Sequence, residues 1–197
     1  MKKIILSILG GTILLANTNA QTLINGAGST FDYPALTKWF EVYGQNHSDV
    51  RFNYSSIGSG GGQKQLLNQT VDFGASDAPM TDESMSKAPG KILHFPIVAG
   101  GVAIMYNLPG NPKLKLDGDT IAAIYLGNIA KWNDPKIKAL NPDVDLPDLT
   151  IVPIHRTEGS GTTFIFTDYL TSVNSAWADT IGKSTSVKWP AGIGLGA

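Results

Sequence analysis

The stretch Arg156-Thr157-Glu158-Gly159-Ser160-Gly161-Thr162-Thr163 runs directly into the apolar Phe164-Ile165-Phe166, so a polar turn with two glycines precedes a helical pattern. The first backbone N–H groups of a helix lack partners within the helix, and the helix dipole adds partial positive charge there. Serine and threonine hydroxyls and the planar guanidinium of Arg156 suit a tetrahedral oxyanion. The stretch therefore predicts one wall of an anion site. An ordinary N-cap after a glycine turn is the alternative.

Two upstream stretches have the same character, because small and hydroxyl-bearing residues directly precede a helical pattern in each. They are Gly26-Ala27-Gly28-Ser29-Thr30-Phe31 and Gly58-Ser59-Gly60-Gly61-Gly62. Three helix starts of one kind in a chain of 197 residues predict that several helix N-termini converge on one anion.

Strand-like and helix-like patterns alternate in the first part of the chain. The predicted strands are 22–25, 50–54 and 71–74, and the predicted helices between them are 32–45 and 61–69. Strand–helix–strand repeats indicate βαβ units and a mainly parallel sheet, with ligands at the carboxyl ends of the strands. The predicted class is α/β, with parallel sheets flanked by helices.

The apolar run Leu93–Tyr106 is longer than a usual strand and contains Gly100-Gly101. We predict a strand that passes from one domain into another and bends at the glycines. Two successive strands of one sheet are the alternative. On this prediction residues 21–99 form a first lobe, and residues 100–197 form part of a second lobe.

The rest of the chain predicts further elements of the second lobe. Helices are expected at 120–127 and from 133–135 onward, and a strand at 149–154. The glycine-rich end, 187–197, has no cap or closing element, which suggests a chain truncated at its C-terminus.

The N-terminal 20 residues have the pattern of a cleaved secretory signal: Met1-Lys2-Lys3, an apolar run over 4–16, and small residues before a cleavage point at Ala20. The apolar run is shorter than the ~20 residues of a membrane span. The chain has no cysteine, which excludes disulfides, thiol catalysis and the cysteine of a lipid anchor. These features predict a periplasmic protein without a lipid anchor.

The net charge of the chain is −1 and falls to about −3 without Lys2 and Lys3. A mildly acidic chain has no basic surface for nucleic acid. An anion would therefore have to be held by local dipoles and by one or two cations.

Several catalytic signatures do not fit the chain. Residues 159–163 lack the Gly-Lys-Ser/Thr core of a phosphate loop, and no serine lies in a Gly-x-Ser-x-Gly elbow. The three histidines, at positions 47, 94 and 155, lack the spacing of zinc ligands. His155 lies beside Arg156, and we interpret it as a strand-packing or supporting residue. No catalytic residue, metal site or cofactor is predicted.

Asp77 follows a predicted strand within Gly74-Ala75-Ser76-Asp77-Ala78-Pro79. A carboxylate repels an anion unless the anion carries a proton to donate, as hydrogen phosphate does near neutral pH and sulfate does not. Asp77 therefore predicts selection against fully ionised oxyanions. Its alternative role is a cap for the turn or helix after Pro79.

Taken together, the chain resembles the periplasmic phosphate-binding proteins of phosphate ABC transporters, from about Gly26 to Gly194. The order and spacing of five blocks carry the resemblance. These blocks are 26–31, 57–62, 71–79, Ile124-Tyr125-Leu126-Gly127 with Lys131-Trp132-Asn133-Asp134, and 156–162.

The resemblance implies a two-lobed type II periplasmic-binding-protein fold that closes on phosphate and delivers it to a membrane permease, as a monomer without catalytic turnover. It implies that the ligand is held by Thr30, Phe31, Ser59, Asp77, Arg156, Ser160, Gly161 and Thr162. Where the family often has an aspartate that pairs with the arginine, this chain has Glu158. Relatives in the family are longer, so the chain is expected to lack part of both lobes.

Two other functions stay open at this point. One is a secreted phosphatase on the same fold, which would need a base such as His155 near Ser59 or Ser160. The other is a receptor for a different tetrahedral oxyanion, or a role in surface adhesion.

Overall fold

The computed structural model describes residues 21–196, so the predicted signal peptide of residues 1–20 lies outside the described range. The described chain has five strands and seven helices. The strands are β1 (Thr22–Gly28), β2 (Val50–Ser56), β3 (Phe73–Ala75), β4 (Ile154–Arg156) and β5 (Ile193–Leu195). The helices are α1 (Tyr33–Asn46), α2 (Ser59–Leu67), α3 (Asp82–Met85), α4 (Gly118–Tyr125), α5 (Pro135–Leu140), α6 (Gly161–Val173) and α7 (Ser175–Thr180).

The first sheet has three parallel strands in the order β2-β1-β3. Helix α1 connects β1 to its neighbour β2, and α2 connects the two edge strands β2 and β3 by passing over the central strand β1. The predicted βαβ units and parallel sheet are confirmed. Helix α2 begins at Ser59, two residues before the predicted start at Gly61.

The two crossover helices pack differently on this sheet. Aromatic rings fill the contact on the α1 side, where Phe40 of α1 stacks on Phe52 of β2 at a centroid distance of 4.4 Å. Helix α2 instead lies close to the strand backbone, because a Cβ on Gly62 would lie 2.4 Å from the Cα of Gly28. Such a close approach tolerates only glycine, and it draws the first turn of α2 against the end of β1.

The second part of the chain is built around β4 and β5, which pair in parallel. Helices α4, α6 and α7 share one buried cluster. Its members are Ile121, Ala122, Leu170 and Trp177. A second cluster joins α4 and α5 through Ile124 and Ile137. The α/β class with parallel sheets and flanking helices is therefore confirmed in both parts of the described chain.

The strand predicted over Leu93–Tyr106 is wrong, since the segment has no regular secondary structure. Phe95 and Met105 are 75% and 91% exposed. A strand requires ladder hydrogen bonds to a neighbour, and this segment pairs with no strand among residues 21–196. Apolar composition alone did not make a strand here.

The strand predicted over 149–154 lies further along the chain, because β4 begins only at Ile154. Pro153 has no N–H for a ladder, and Thr150 forms only an isolated antiparallel bridge with Lys131. The glycine-rich end, predicted to lack a closing element, contains β5. Glycine at position 194 disfavours a strand prediction, but β5 pairs with β4 in the structure.

No helix among residues 21–196 is long and apolar enough to cross a bilayer.

Asp32 is a buried carboxyl at the N-cap of α1, with only 5% of its surface exposed. Its side chain does not cap the helix. Burial raises the pKa of the Asp32 carboxyl above its ordinary value of 3.8, and the charge of Asp77 raises that pKa further. The Ser29 hydroxyl near this carboxyl opposes both effects on the pKa.

Trp177 provides a test of the second core. Its side chain is fully buried and its Nε1–H donates to the carbonyl of Gly182 at 2.9 Å. We expect Trp177→Ala to lower the free energy of unfolding by about 3–5 kcal/mol, measured by urea denaturation. Trp39→Ala, at a side chain that is 47% exposed, is the control and should cost far less. Equal losses would contradict the assignment of Trp177 to the core.

Asp32 gives a pH-dependent prediction. Because the folded-state pKa of Asp32 is raised, the folded protein binds this proton more tightly than the unfolded protein does. The contribution of Asp32 to stability should therefore fall as the pH rises from near 3.8 through the folded-state pKa. As the pH rises through this range, we expect the melting temperature of Asp32→Asn to increase relative to that of the wild type. Asp49→Asn, at an exposed position, is the control. A difference independent of pH would contradict the prediction.

Candidate functional site

The carboxyl ends of the three parallel strands lie at one edge of the first sheet. Gly28, the last residue of β1, is aligned with Ser56 of β2 on one side and with Ala75 of β3 on the other. The residues that follow the strands therefore lie side by side. They include Ser29, Thr30 and Phe31 after β1, Ser59 after β2, and Asp77 after β3.

Ser59 and Asp77 are in direct contact. The backbone N–H of Asp77 donates to Ser59 Oγ at 3.2 Å, and Ser59 is 1% exposed. The first residue of α6 completes this group, because a Cβ on Gly161 would lie 2.5 Å from Ser59 Oγ and 2.6 Å from Asp77 Oδ2. The structure thus brings together Ser59, Asp77 and Gly161, which the sequence placed in separate blocks.

The first turn of α2 and the glycine turn before α6 meet backbone to backbone. The N–H of Gly60 donates to the carbonyl of Gly159 at 2.8 Å. A Cβ on Gly60 would lie 2.9 Å from the Cα of Gly159, and Gly58 has a φ of +80°. The N-termini of α2 and α6 therefore lie together, and their convergence on an anion stays a prediction.

Arg156 lies at the end of β4 and forms an ion pair with Glu158 through Nε and Nη2. Its Nη1 lies 3.4 Å from Thr30 Oγ1, which links the end of β4 to the turn after β1. Burial lowers the pKa of the Arg156 guanidinium, and the negative charge of Asp77 acts in the opposite direction. Glu158 thus holds the arginine despite its additional methylene.

Ser160 and Thr162 flank Gly161 at the start of α6. Ser160 is the N-cap, and its Oγ accepts from the N–H of Thr163 at 3.3 Å. The N-cap interpretation of this hydroxyl is therefore confirmed. Thr162 lines a cavity of about 160 Å³ together with Arg156.

Phe31 is 46% exposed, and its ring lies against Gly100, where a Cβ would come within 2.5 Å of Phe31 Cζ. Its backbone N–H donates to Ser29 Oγ at 3.1 Å. The turn after β1 is therefore ordered by a side chain that sequence reasoning did not single out.

Ser29 is the main residue that sequence reasoning missed. Its hydroxyl donates to Asp77 Oδ1, and its backbone carbonyl accepts from the hydroxyl of Tyr54 at 2.8 Å. Asp77 therefore does not cap the helix after Pro79, a role that the side chain of Thr81 fills. The signal was available, since adjacent parallel strands that end together place their following residues in contact.

His155 packs as interpreted from the sequence. Its ring stacks on that of Trp189 at a centroid distance of 4.8 Å, and its Nδ1 lies 3.1 Å from the carbonyl of Arg156. This environment is that of a packing residue at the strand.

The assembled residues combine hydrogen-bond donors with the carboxylate of Asp77, while the carboxylate of Glu158 is paired with Arg156. The donors are serine and threonine hydroxyls, the first turns of α2 and α6, and the half-buried guanidinium of Arg156. Such donors stabilise an oxyanion, whereas the Asp77 carboxylate can only accept. Chemically, the group fits an oxyanion that retains a proton.

Comparison with known proteins places the chain in a family. Residues 15–194 match the PBP superfamily domain. The chain is 47% identical over 195 residues to the phosphate-binding protein PstS of Pasteurella multocida, covering 98% of this chain and 55% of that protein. It is also 47% identical over 186 residues to PstS of Haemophilus influenzae, covering 93% of this chain and 54% of that protein. The chain thus spans about half the length of these curated relatives.

Solved structures agree on the fold. A putative phosphate ABC transporter substrate-binding protein from Clostridium perfringens, solved with bound phosphate, matches with a TM-score of 0.57 and 22% identity, over 76% of this chain and 56% of that chain. An ABC-type phosphate transport receptor from Vibrio cholerae matches with a TM-score of 0.56 and 19% identity, over 89% and 64% of the two chains. Because the family match covers residues 15–194, the chain belongs to the PBP superfamily.

Proposed function

We propose that the full-length protein binds inorganic phosphate in its hydrogen phosphate form and delivers it to the permease of an ABC importer. The observation that carries the proposal is the position of Asp77, a carboxylate that lies among hydroxyl donors, the start of α6 and the guanidinium of Arg156. An acceptor in an anion site favours an anion that still carries a proton. The names of the relatives, phosphate-binding proteins PstS, support the same ligand.

The proposed ligand-binding residues come from two parts of the chain. Thr30, Phe31, Ser59 and Asp77 follow the strands of the first sheet, and Arg156, Ser160, Gly161 and Thr162 follow β4. We assign the proton acceptance to Asp77 and the bidentate contact to Arg156, with Glu158 holding the guanidinium. The direct contacts among Ser59, Asp77 and Gly161 support a single site.

We infer that the two groups of residues belong to two lobes, residues 21–99 and residues 100–197, that meet at about Gly100. The separation of the two sheets along the chain supports this division, since the first sheet ends at Ala75 and the second begins at Ile154. A ligand that bonds both lobes favours the closed arrangement by its differential affinity. The closed form would be the one that the permease recognises.

Location and assembly are part of the same proposal. We propose a monomeric periplasmic protein that is exported through a cleaved signal peptide and carries no lipid anchor. The pattern of residues 1–20 and the cysteine-free composition support the export route. Because the chain spans about half of the curated relatives, binding should be measured on the full-length protein.

We further propose that the protein does not turn over its ligand. The curated relatives are named as binding proteins. The hydroxyls of Ser59 and Ser160 each accept a backbone N–H, and the ring of His155 is stacked on Trp189. A phosphatase would need a metal or a nucleophile, and either of these hydroxyls could serve as the nucleophile only with a base within hydrogen-bond reach.

Ligand choice is tested by tryptophan-fluorescence titration of the full-length protein. We expect saturation by phosphate and none by sulfate at the same concentrations. Asp77→Asn should reduce the preference for phosphate by about tenfold or more, because a hydrogen bond to a charged acceptor is lost. Asp82→Asn, at an exposed carboxyl of α3, is the control. Saturation by neither anion in a folded protein would refute the receptor function. An unchanged preference in Asp77→Asn would refute the role of Asp77.

The absence of turnover is tested with an aryl phosphate ester. We expect no release of phosphate above the rate in buffer, and we expect His155→Ala to bind phosphate within about threefold of the wild type, because the ring serves packing. Release of phosphate by the wild type that His155→Ala abolishes would establish the phosphatase function instead.

A further inference from the structure

The hydroxyl of Ser29 is held in one orientation by its own surroundings. Its side chain is fully buried, and Oγ accepts the backbone N–H groups of Phe31 at 3.1 Å and Asp32 at 3.2 Å. A hydroxyl has two acceptor positions and one proton. Because both acceptor positions are used, the proton is directed to the remaining partner, Asp77 Oδ1.

The backbone of Ser29 is fixed from both neighbouring strands. Its N–H donates to the carbonyl of Ala75 in β3 at 2.8 Å, and its carbonyl accepts from the Tyr54 hydroxyl of β2 at 2.8 Å. The hydroxyl is therefore positioned by the sheet itself, which leaves little freedom to follow a moving carboxylate.

The two oxygens of Asp77 have different surroundings. Oδ1 accepts from Ser29, whereas Oδ2 lies where a Cβ on Gly161 would be only 2.6 Å away. Gly161 has no side chain, so Oδ2 faces the start of α6. The charged groups around this carboxylate are the Asp32 carboxyl behind Ser29 and the Arg156 guanidinium across the site.

We propose that Ser29 is a positioning residue that gives the two oxygens of Asp77 separate tasks. Its hydroxyl forms a hydrogen bond to Oδ1. Oδ2 is then left to accept the proton of a bound hydrogen phosphate. Ser29 therefore determines the choice between protonated and fully ionised oxyanions without touching the ligand. This inference rests on the proposed function, because it concerns the same site.

Removal of the hydroxyl has two separable effects. Without it, the Asp77 carboxylate rotates freely and no longer presents one oriented acceptor. The N–H groups of Phe31 and Asp32 also lose their acceptor, which would change the turn after β1. Only the first effect depends on the carboxylate, so a double-mutant cycle with Asp77 separates the two.

The experiment measures phosphate and sulfate affinity by calorimetry for full-length wild type, Ser29→Ala, Asp77→Asn and the double variant. We expect Ser29→Ala to weaken phosphate binding about tenfold and to leave sulfate affinity within about twofold. In the Asp77→Asn background, Ser29→Ala should weaken phosphate binding by clearly less than in the wild-type background, because only the effect on the turn remains there. Ser76→Ala is the matched control, because its hydroxyl bonds the carbonyl of Ala78 and not the Asp77 carboxylate.

Equal effects of Ser29→Ala in both backgrounds would overturn the inference, since the loss would then come from the turn. A wild type that binds no phosphate would refute the proposed function itself, which is a different result. If the circular dichroism spectrum shows that Ser29→Ala is unfolded, Ser29→Cys replaces it in the same double-mutant cycle. The thiol is close in size but a weak donor, so the same loss of phosphate preference is expected.

Discussion

The parallel register of β1 with its two neighbours is the constraint on which the site depends. Gly28 is aligned with both Ser56 and Ala75, so three chain segments leave the sheet at the same level. Each segment then carries a polar residue into a shared space of a few ångströms. A shift by one residue would turn every side chain of the shifted strand to the opposite face. The close contact of Gly62 in α2 with Gly28 in β1 fixes the distance of the helix from the sheet, and with it the position of Ser59.

Several groups assigned to the anion have partners within the protein. The N–H of Phe31 donates to Ser29, Arg156 is paired with Glu158, and Ser160 caps its own helix. These bonds hold the donors in place before any ligand contact forms, which lowers the entropic cost of assembling them. They also mean that binding exchanges some hydrogen bonds for others. The affinity then reflects the difference between the two sets, and a typical exchange contributes only about 0.5–1.5 kcal/mol per bond.

The fold was predictable from the sequence wherever local pattern and final neighbours agree. The alternation of patterns over 22–75 predicted the parallel sheet, and the hydroxyl-bearing glycine turns predicted helices α2 and α6, although α2 begins two residues earlier than expected. The prediction failed for Leu93–Tyr106, because strand formation depends on a partner that composition cannot reveal. It failed for β5 for the opposite reason, since a glycine-rich segment with weak preference pairs with a strand already in place.

The same distinction applies to the site. Residues whose role follows from their own chemistry, such as Arg156 and Asp77, could be selected from the sequence. Ser29 was not selected, although it lies in a quoted block, because its role becomes evident only when β1 is aligned with β3, which brings Ser29 to Asp77 across 48 positions of sequence. The sequence did not determine whether Glu158 pairs with Arg156, and the structure shows that it does.

The backbone contact between Gly60 and Gly159 has a consequence for how this protein can be studied. Alanine scanning assumes that a substitution deletes atoms, and at these two positions it adds one into a space where the nearest Cα lies about 3 Å away. A scan would score both positions as functionally essential although neither contributes a side chain. What such a junction requires is empty volume. Substitution tables that rank residues by chemical similarity do not represent that quantity, so tolerance at this junction has to be judged from clearance.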